Sequence, residues 1–138
     1  MSERRHLQVS CALIERDGAV LACRRSATMK MPLKWEFPGG KIEAGESAAE
    51  CLVREVLEEM AVRVSIIEPL TPVTHDYATF TVTLYPFVCS IEEGEPVLHE
   101  HAELLWLPPD ELPHLDWCEA DFPIIADYRE RLSARQKG

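Results

Sequence analysis

The sequence is short of basic residues. Lys and Arg number 14 against 24 Asp and Glu, so the 138-residue chain has a net charge of −10. Such a chain has little with which to displace counterions from a nucleic-acid backbone, and nucleic acid is not expected as a partner. A small phosphorylated substrate is still compatible with this charge, because a bound divalent cation reverses the sign of the local field.

Long apolar runs and paired cysteines are also missing. No stretch approaches the roughly 18 apolar residues of a membrane span, and the polar start is not expected to act as a targeting leader. The cysteines are odd in number and contain no CxxC pair, which argues against a disulfide framework or a zinc site. They are Cys11, Cys23, Cys51, Cys89 and Cys118. We therefore expect small core residues in a reducing compartment, and a cytoplasmic protein that does not bind membranes.

The rest of the composition is that of a globular domain. Hydrophobic residues make up 46% of the chain, which is ample for one core, and repeats and low-complexity segments are absent. We expect one domain over residues 1–138, either as a monomer or as a homodimer.

Extended runs alternate with two helical stretches. Residues 7–14 and 19–23 flank the turn Arg16-Asp17-Gly18 and predict an opening β-hairpin. A final helix is expected from about Phe122 to Arg135, with an inner face of Ile124, Ile125, Tyr128 and Leu132. Further strands are expected over residues 62–67, 70–74, 79–90 and 104–107, with a short helical piece at 110–112. This order predicts an α/β fold, an α/β/α sandwich around a mixed β-sheet.

A helix with an acidic face follows the glycine pair Gly39-Gly40. Ser47 and Glu50 have the spacing of a capping box, which sets the start and the phase of this helix. In that phase one broad side packs, and the acids lie on the other side together with Ala48 and Cys51. The packing side comprises Ala49, Leu52, Val53, Val56, Leu57 and Met60.

The acids on this helix are Glu55, Glu58 and Glu59. The like-charge pair at four-residue spacing, and anions near the helix C-terminus, each cost a few tenths of a kcal/mol. Helix stability therefore does not explain them. A divalent cation does, because Mg²⁺ takes carboxylate oxygens together with waters and substrate phosphates.

Residues 40–62 closely resemble the Nudix box, whose pattern is G-x5-E-x7-R-E-U-x-E-E-x-G-U with U apolar. The matching positions are Gly40, Glu46 and the run Arg54-Glu55-Val56-Leu57-Glu58-Glu59, and the preceding segment 35–39, WEFPG, is similar to the MutT branch. The departure is Ala61, which stands at the last glycine of the pattern. Glycine there would be the left-handed residue that ends the helix, so alanine should cost roughly 1 kcal/mol.

The resemblance implies a hydrolase that cleaves a nucleoside diphosphate linked to a further group. It implies Mg²⁺, with Mn²⁺ as a possible substitute, held by Glu55, Glu58, Glu59 and the carbonyl of Gly40. Arg54 would orient Glu55, the proton acceptor for the attacking water, and Glu46 would support the loop through Arg54. In a MutT-like reaction the water attacks the β-phosphorus of a nucleoside triphosphate and releases the monophosphate and pyrophosphate.

The family also has an acid outside the box, on the loop before a strand that ends in Trp. Matching Trp106 to that Trp places Glu100 at the acidic position, with Glu103 as its rival and a solvated loop charge as the alternative reading of either. His99 and His101 have no companion cysteine, so a transition-metal site is not expected.

The resemblance also indicates residues that bind the substrate. Arg25 and Lys41 are predicted phosphate contacts, although Arg25 is equally compatible with a solvated charge at a strand end. Tyr77 or Phe80 would stack on the base, or belong to the core. Asp121 would read the base edge by accepting hydrogen bonds, or would simply cap the last helix.

The base is less specified than the reaction. Phe80 stands where MutT is expected to have arginine, and Asp121 stands where MutT has asparagine. Both departures favour the related (d)CTP pyrophosphohydrolases, which also accept modified nucleotides such as 8-oxo-dGTP and sanitise the nucleotide pool. The alternatives are another substrate (ADP-ribose, a sugar nucleotide or a dinucleotide) and a non-catalytic nucleotide-binding domain. The compact chain argues against the first alternative, and the intact glutamates argue against the second.

Overall fold

A computed structural model describes residues 5–137, without the side chain of Lys137, so the polar residues 1–4 lie outside it. Eight strands form one sheet. They are β1 (Arg5–Arg16), β2 (Ala19–Arg24), β3 (Trp35–Glu36), β4 (Gly39–Lys41), β5 (Arg63–Pro69), β6 (Val73–Asp76), β7 (Phe80–Glu93) and β8 (Glu103–Leu107). The central order is β3-β2-β1-β7-β5, with β4 beside β1, β6 beside β7 and β8 beside β2. The sheet is mixed, because β1 and β7 run parallel while the other paired strands are antiparallel.

Two helices cover the two faces of this sheet, and a 3-10 helix (Pro109–His114) precedes the second. They are α1 (Ala48–Met60) and α2 (Asp121–Lys137). Successive residues of a strand point to opposite faces, and β1 shows this directly. Cys11 and Leu13 pack in the core under α2, while Ala12 and Ile14 pack in the core under α1. The predicted α/β/α sandwich is confirmed.

The capping box of α1 is present. The Ser47 hydroxyl accepts from the Glu50 N–H at 3.0 Å, and the Glu50 carboxylate accepts from the Ser47 N–H at 2.9 Å. Leu57 was predicted on the packing side, but it is 40% exposed, whereas Cys51 is fully buried. The packed side is rotated toward Cys51 because this thiol lies against β1 and β4, where it accepts from the Ser10 hydroxyl at 3.1 Å.

Most predicted strands are present with longer bounds. The exception is the run 70–74, in which only the end belongs to a strand, β6. Pro72 has no N–H to donate to a sheet, and Leu70 instead donates its N–H to the Pro86 carbonyl at 2.8 Å. The five cysteines are free and buried, as predicted. Within residues 5–137, neither helix has the length and apolar character needed to cross a bilayer.

Ala61 ends α1 in the left-handed conformation, with φ 58° and ψ 31°, as expected from the missing glycine. Ala61→Gly should raise the free energy of unfolding by about 0.5–1 kcal/mol. The relief of left-handed strain, about 1–2 kcal/mol, exceeds the extra entropy of an unfolded glycine, about 0.4–1 kcal/mol. Urea denaturation measures the difference. Ala126→Gly, at an exposed position inside α2, is the matched control and should lower stability by about 0.5–1 kcal/mol; a loss at Ala61 as well would contradict the prediction.

Candidate active site

The acidic face of α1 lines a cavity of about 270 Å³. Glu55, Glu58 and Glu59 line it from the helix, and His99, Glu100 and His101 line it from the loop between β7 and β8. Glu103 instead begins β8, where its carboxylate lies 3.7 Å from the guanidinium of Arg24. Of the two rival loop acids, Glu100 is therefore the one that joins the helical acids.

Glu59 carries the most unusual carboxylate of this cavity. Its Oε2 is buried and has no hydrogen-bond partner among the described residues. Burial raises the pKa of Glu59 to about 7, against the lowering effect of His101 and with a further rise from the charges of Glu36, Glu55 and Glu100. A buried oxygen without a partner is costly unless a ligand completes it.

The donor set fits a hard divalent cation. All four acids offer oxygens, which are the ligands of Mg²⁺ and Mn²⁺. A bound cation would also supply the partner that the buried Oε2 of Glu59 lacks among the described residues. Within residues 5–137, however, no three His, Cys, Asp or Glu side chains already form a closed metal-binding group. Mg²⁺ usually keeps several waters and takes part of its shell from substrate phosphates, so an open arrangement is compatible with it.

Arg54 organises the acids on the loop side of α1. Its Nη2 and Nε donate to the two carboxylate oxygens of Glu46 at 2.7 and 3.1 Å, and its Nη1 donates to Glu55 at 2.9 Å and to Glu58 at 3.4 Å. The Arg54 hydrogen bonds, helped by the backbone N–H of Glu43, lower the pKa of Glu46 to about 2. Glu46 thus has the expected contact with Arg54, and Arg54 has the expected contact with Glu55.

The two glycines before α1 allow two close approaches. A Cβ on Gly39 would lie 1.9 Å from the backbone oxygen of Ser10, because β4 pairs with β1 at this point. A Cβ on Gly40 would lie 2.3 Å from the carboxyl carbon of Glu55. The Gly40 carbonyl, the predicted metal ligand, accepts a hydrogen bond from the Cys51 thiol at 3.5 Å.

A larger cleft of about 360 Å³ adjoins the acidic cavity. Glu59 lines both spaces and so marks where they meet. All the residues predicted to bind substrate line this cleft, although they come from distant parts of the chain. They are Arg25, Lys41, Tyr77, Phe80 and Asp121.

This combination of fold, acidic cavity and cleft agrees with a comparison against protein families, in which the NUDIX domain matches residues 4–128. The chain belongs to the NUDIX family. Its predicted box at residues 40–62 therefore lies in a Nudix hydrolase fold, and the hydrolase assignment follows from membership.

Individual Nudix relatives are similar over nearly the whole chain. The CTP pyrophosphohydrolase of Escherichia coli (strain K12) is 31% identical over 129 residues, which cover 94% of this chain and 96% of that protein. The 8-oxo-dGTP diphosphatase of the same strain is 31% identical over 121 residues, covering 87% and 94%. The solution structure of the E. coli ORF135 protein superposes with a TM-score of 0.83 at 30% identity, covering 96% and 94%.

Asp121 is the buried acid of the Nudix cleft. It is only 5% exposed, it is the first residue of α2 rather than a residue before it, and its carboxyl makes no hydrogen bond or ion pair with the side chains or backbone of residues 5–137. Burial, and then the charge of Glu36, raise the pKa of Asp121 well above its ordinary value, while Arg25 lowers it. Asp121 therefore makes no capping hydrogen bond among residues 5–137, and its contact with the base stays a prediction.

Asp121→Asn should make folding less sensitive to pH. The folded-state pKa is raised, so folding stability is greatest below the unfolded pKa of about 3.9 and declines as pH rises toward the folded pKa, by at most about 1.4 kcal/mol per pH unit. Asparagine stays neutral and lacks this decline. Urea denaturation at pH 4 and pH 8 should therefore show a gain from Asp121→Asn that is larger at pH 8. The exposed Asp110→Asn is the control, and an equal effect of the two variants at both pH values would contradict the prediction.

Tyr77 and Phe80 form one wall of the cleft. Their rings stack with centroids 5.0 Å apart and an interplanar angle of 27°. The Tyr77 hydroxyl accepts from the backbone N–H of Ala120 at 3.1 Å. Tyr77 thus braces the start of α2, next to Asp121, in addition to facing the cleft.

Sequence analysis missed Glu36 as a site residue and gave His101 no role beyond rejecting a metal. Arg25 Nη1 donates to Glu36 at 2.6 Å and Arg25 Nε donates to the Lys30 carbonyl at 2.5 Å. Two nitrogens of the predicted phosphate-binding guanidinium are therefore already hydrogen-bonded to the protein. His101, 8% exposed, bonds the other Glu36 oxygen through Nε2 at 2.9 Å. The sequence feature that could have indicated Glu36 is its position between two aromatic residues, Trp35 and Phe37, both of which are buried.

Proposed function

We propose that this Nudix hydrolase is a Mg²⁺-dependent nucleoside triphosphate pyrophosphohydrolase that acts on (d)CTP and on oxidised or modified dNTPs such as 8-oxo-dGTP. The observation that carries the proposal is Glu59, which lines both the four-acid cavity and the cleft. A nucleotide in that cleft would present its phosphates to the acids and its base to Asp121. The similarity to a CTP pyrophosphohydrolase and an 8-oxo-dGTP diphosphatase supports this substrate class.

The residues of the chain divide the chemistry among them. Glu55, Glu58, Glu59, Glu100 and the Gly40 carbonyl would hold Mg²⁺, or Mn²⁺ as a substitute. The bound cation neutralises phosphate charge and lowers the pKa of a water.

Glu55 accepts the proton of the attacking water while Arg54 holds its carboxylate in place, and Lys41 and Arg25 contact phosphate oxygens. Water attacks the β-phosphorus, and the bond from that phosphorus to the oxygen bridging to the α-phosphorus breaks. The monophosphate leaves with the bridging oxygen, and pyrophosphate is the other product.

The environment of Asp121 bears on the base. A carboxyl with a raised pKa keeps its proton over a wider pH range, and while it is protonated it offers one O–H donor and one acceptor instead of acceptors alone. Cytosine pairs with both, through its ring nitrogen and its exocyclic amino group, and so does the edge of a guanine. Cytosine and the edge of a guanine are therefore both compatible with Asp121 in its protonated form.

The loop acid can be tested directly. Glu100→Gln should lower Mg²⁺-dependent turnover by about 10-fold to 100-fold, because it removes one charged oxygen ligand from the cavity. Glu103→Gln, the matched control three residues away, removes only an ion pair with Arg24 that is exposed at the surface and should leave turnover near wild type. A reversed result would assign the loop acid to Glu103.

The deciding experiment is a panel of standard and modified nucleoside triphosphates, with phosphate and pyrophosphate measured separately. Pyrophosphate release that is greatest with CTP, dCTP or 8-oxo-dGTP is expected. Preferred hydrolysis of ADP-ribose, a sugar nucleotide or a dinucleotide would overturn the proposed substrate class. If none of these compounds and no triphosphate is hydrolysed in Mg²⁺ or Mn²⁺, the proposal that the protein is a nucleotide hydrolase is overturned. A cytoplasmic location belongs to the same proposal, and the five unpaired cysteines support it.

A further inference from the structure

The loop that carries Glu100 has few attachments. Near its start, Glu95 accepts from Arg16 Nη1 at 2.8 Å and Val97 donates its N–H to the Met60 carbonyl at 3.1 Å. At its end, Ala102 donates its N–H to the Arg24 carbonyl at 2.8 Å. Between Glu92 and Glu103, His101 is the one buried residue, and Glu100 beside it is exposed. Of the two residues next to Glu100, His101 is therefore the one whose side chain reaches the interior.

His101 connects to the interior through a chain of charged groups. Its Nε2 donates to Glu36, which also accepts from Arg25, and both partners of Glu36 are more than four-fifths buried in their side chains. Arg25 and Glu36 line the nucleotide cleft, whereas His101 lines the acidic cavity. The chain Arg25–Glu36–His101 thus joins the two spaces. Without the His101 donor, a largely buried Glu36 oxygen would lose its hydrogen bond, at a considerable cost.

We propose that His101 is a positioning residue that, through its hydrogen bond to Glu36, holds Glu100 beside Glu59 before a nucleotide binds. The proposal rests on the function proposed above, because it takes Glu100 as an acid that acts with the helical glutamates. It gives His101 no ligand role and no proton transfer. The imidazole anchors the loop, and the anchoring sets the distance between the loop acid and the helix acids.

Cation affinity in the absence of nucleotide tests this directly. Mn²⁺ binding to the nucleotide-free protein would be measured by electron paramagnetic resonance for wild type, His101→Leu, His101→Gln and His114→Leu. Leucine fills similar space without a donor, whereas the glutamine amide reaches about as far as Nε2 and restores the donor. His114, which is exposed in the 3-10 helix and lines neither space, is the control for the loss of a histidine.

His101→Leu should weaken Mn²⁺ binding by about tenfold, the lower end of the range for residues that orient metal ligands. His101→Gln should recover most of the affinity and His114→Leu should not change it. Backbone amides of residues 97–102 should exchange hydrogen faster in His101→Leu than in wild type. In hydrolysis assays, raising the Mg²⁺ concentration should restore the turnover of His101→Leu, which a general loss of structure would not allow.

Wild-type Mn²⁺ affinity in a folded His101→Leu would overturn the proposal. So would equal losses in His101→Leu and His101→Gln, since these would indicate a direct ligand. If His101→Leu does not fold, His101→Asn replaces it, because its amide is polar but too short to reach Glu36. If the variants differ in Mn²⁺ affinity as expected but the wild-type protein hydrolyses no nucleotide, the proposed function is refuted and the positioning role of His101 is retained.

Discussion

Glu55→Gln and Glu59→Gln should each lower Mg²⁺-dependent turnover by about 10²-fold to 10⁴-fold, the range for loss of a general base or of an electrostatic partner in the transition state. Glutamine keeps the shape of the side chain but removes the charge and the proton acceptor. The losses have different origins. Glu55 is the proposed proton acceptor and is held by Arg54 at 2.9 Å, whereas Glu59 offers a buried oxygen that no described residue binds.

The control for this pair is Glu50→Gln on the same helix. Glu50 accepts a hydrogen bond from the Ser47 N–H in the capping box, and glutamine serves equally well at that position. Turnover of Glu50→Gln should match wild type, and circular dichroism should show all three variants folded. Near-normal turnover of either Glu55→Gln or Glu59→Gln would contradict the assignment of the glutamates of α1 as metal ligands.

Gly40→Ala should keep the fold and lose activity. The added Cβ would lie 2.3 Å from the Glu55 carboxyl carbon, and the end of a flexible side chain is the part that can move. Glu55 would therefore turn away from its position, and a displacement of about 1 Å at a reacting group costs about 10²-fold in rate. Turnover should fall by about that factor while the thermal midpoint stays close to that of wild type.

Gly39→Ala is the companion variant, and it should lower stability instead of acting directly on the Glu55 side chain. Its Cβ would lie 1.9 Å from the backbone oxygen of Ser10, which cannot move without opening the pairing of β4 with β1. Stability should fall by about 2–4 kcal/mol, as for other severe overpacking. Urea denaturation and turnover measured on both variants separate the two causes, and a destabilised but fully active Gly40→Ala would contradict the assignment of the clash to Glu55.

The two halves of the active site differ in how far sequence could predict them. The helical acids lie within five residues, and the capping box sets their phase, so local rules suffice to place them on one face. Glu100 was predicted only from the resemblance to the family, which left Glu103 as an alternative. The fold separates these two, because Glu103 is drawn into β8 while Glu100 stays in the loop that meets α1.

Where local rules compete with tertiary contacts, the sequence prediction was wrong or incomplete. Leu57 has the right spacing for the core but is exposed, because the position of the sheet decides which side of the helix is covered. Arg25 looked like a free guanidinium, but it is engaged by Glu36. Neither outcome can be read from neighbours along the chain.

The sequence by itself determined the α/β class and the acidic helix, because these depend on periodicity, capping and the order of elements along the chain. The reaction was indicated by the resemblance of residues 40–62 to the Nudix box. Only the tertiary structure decided that Asp121 is buried in the cleft, that Glu59 joins two spaces, and that His101 reaches Glu36 across 65 positions of the chain. The physical reason is that burial and long-range pairing are properties of the packed sheet and its helices, in which the desolvation of a group depends on residues far from it in sequence.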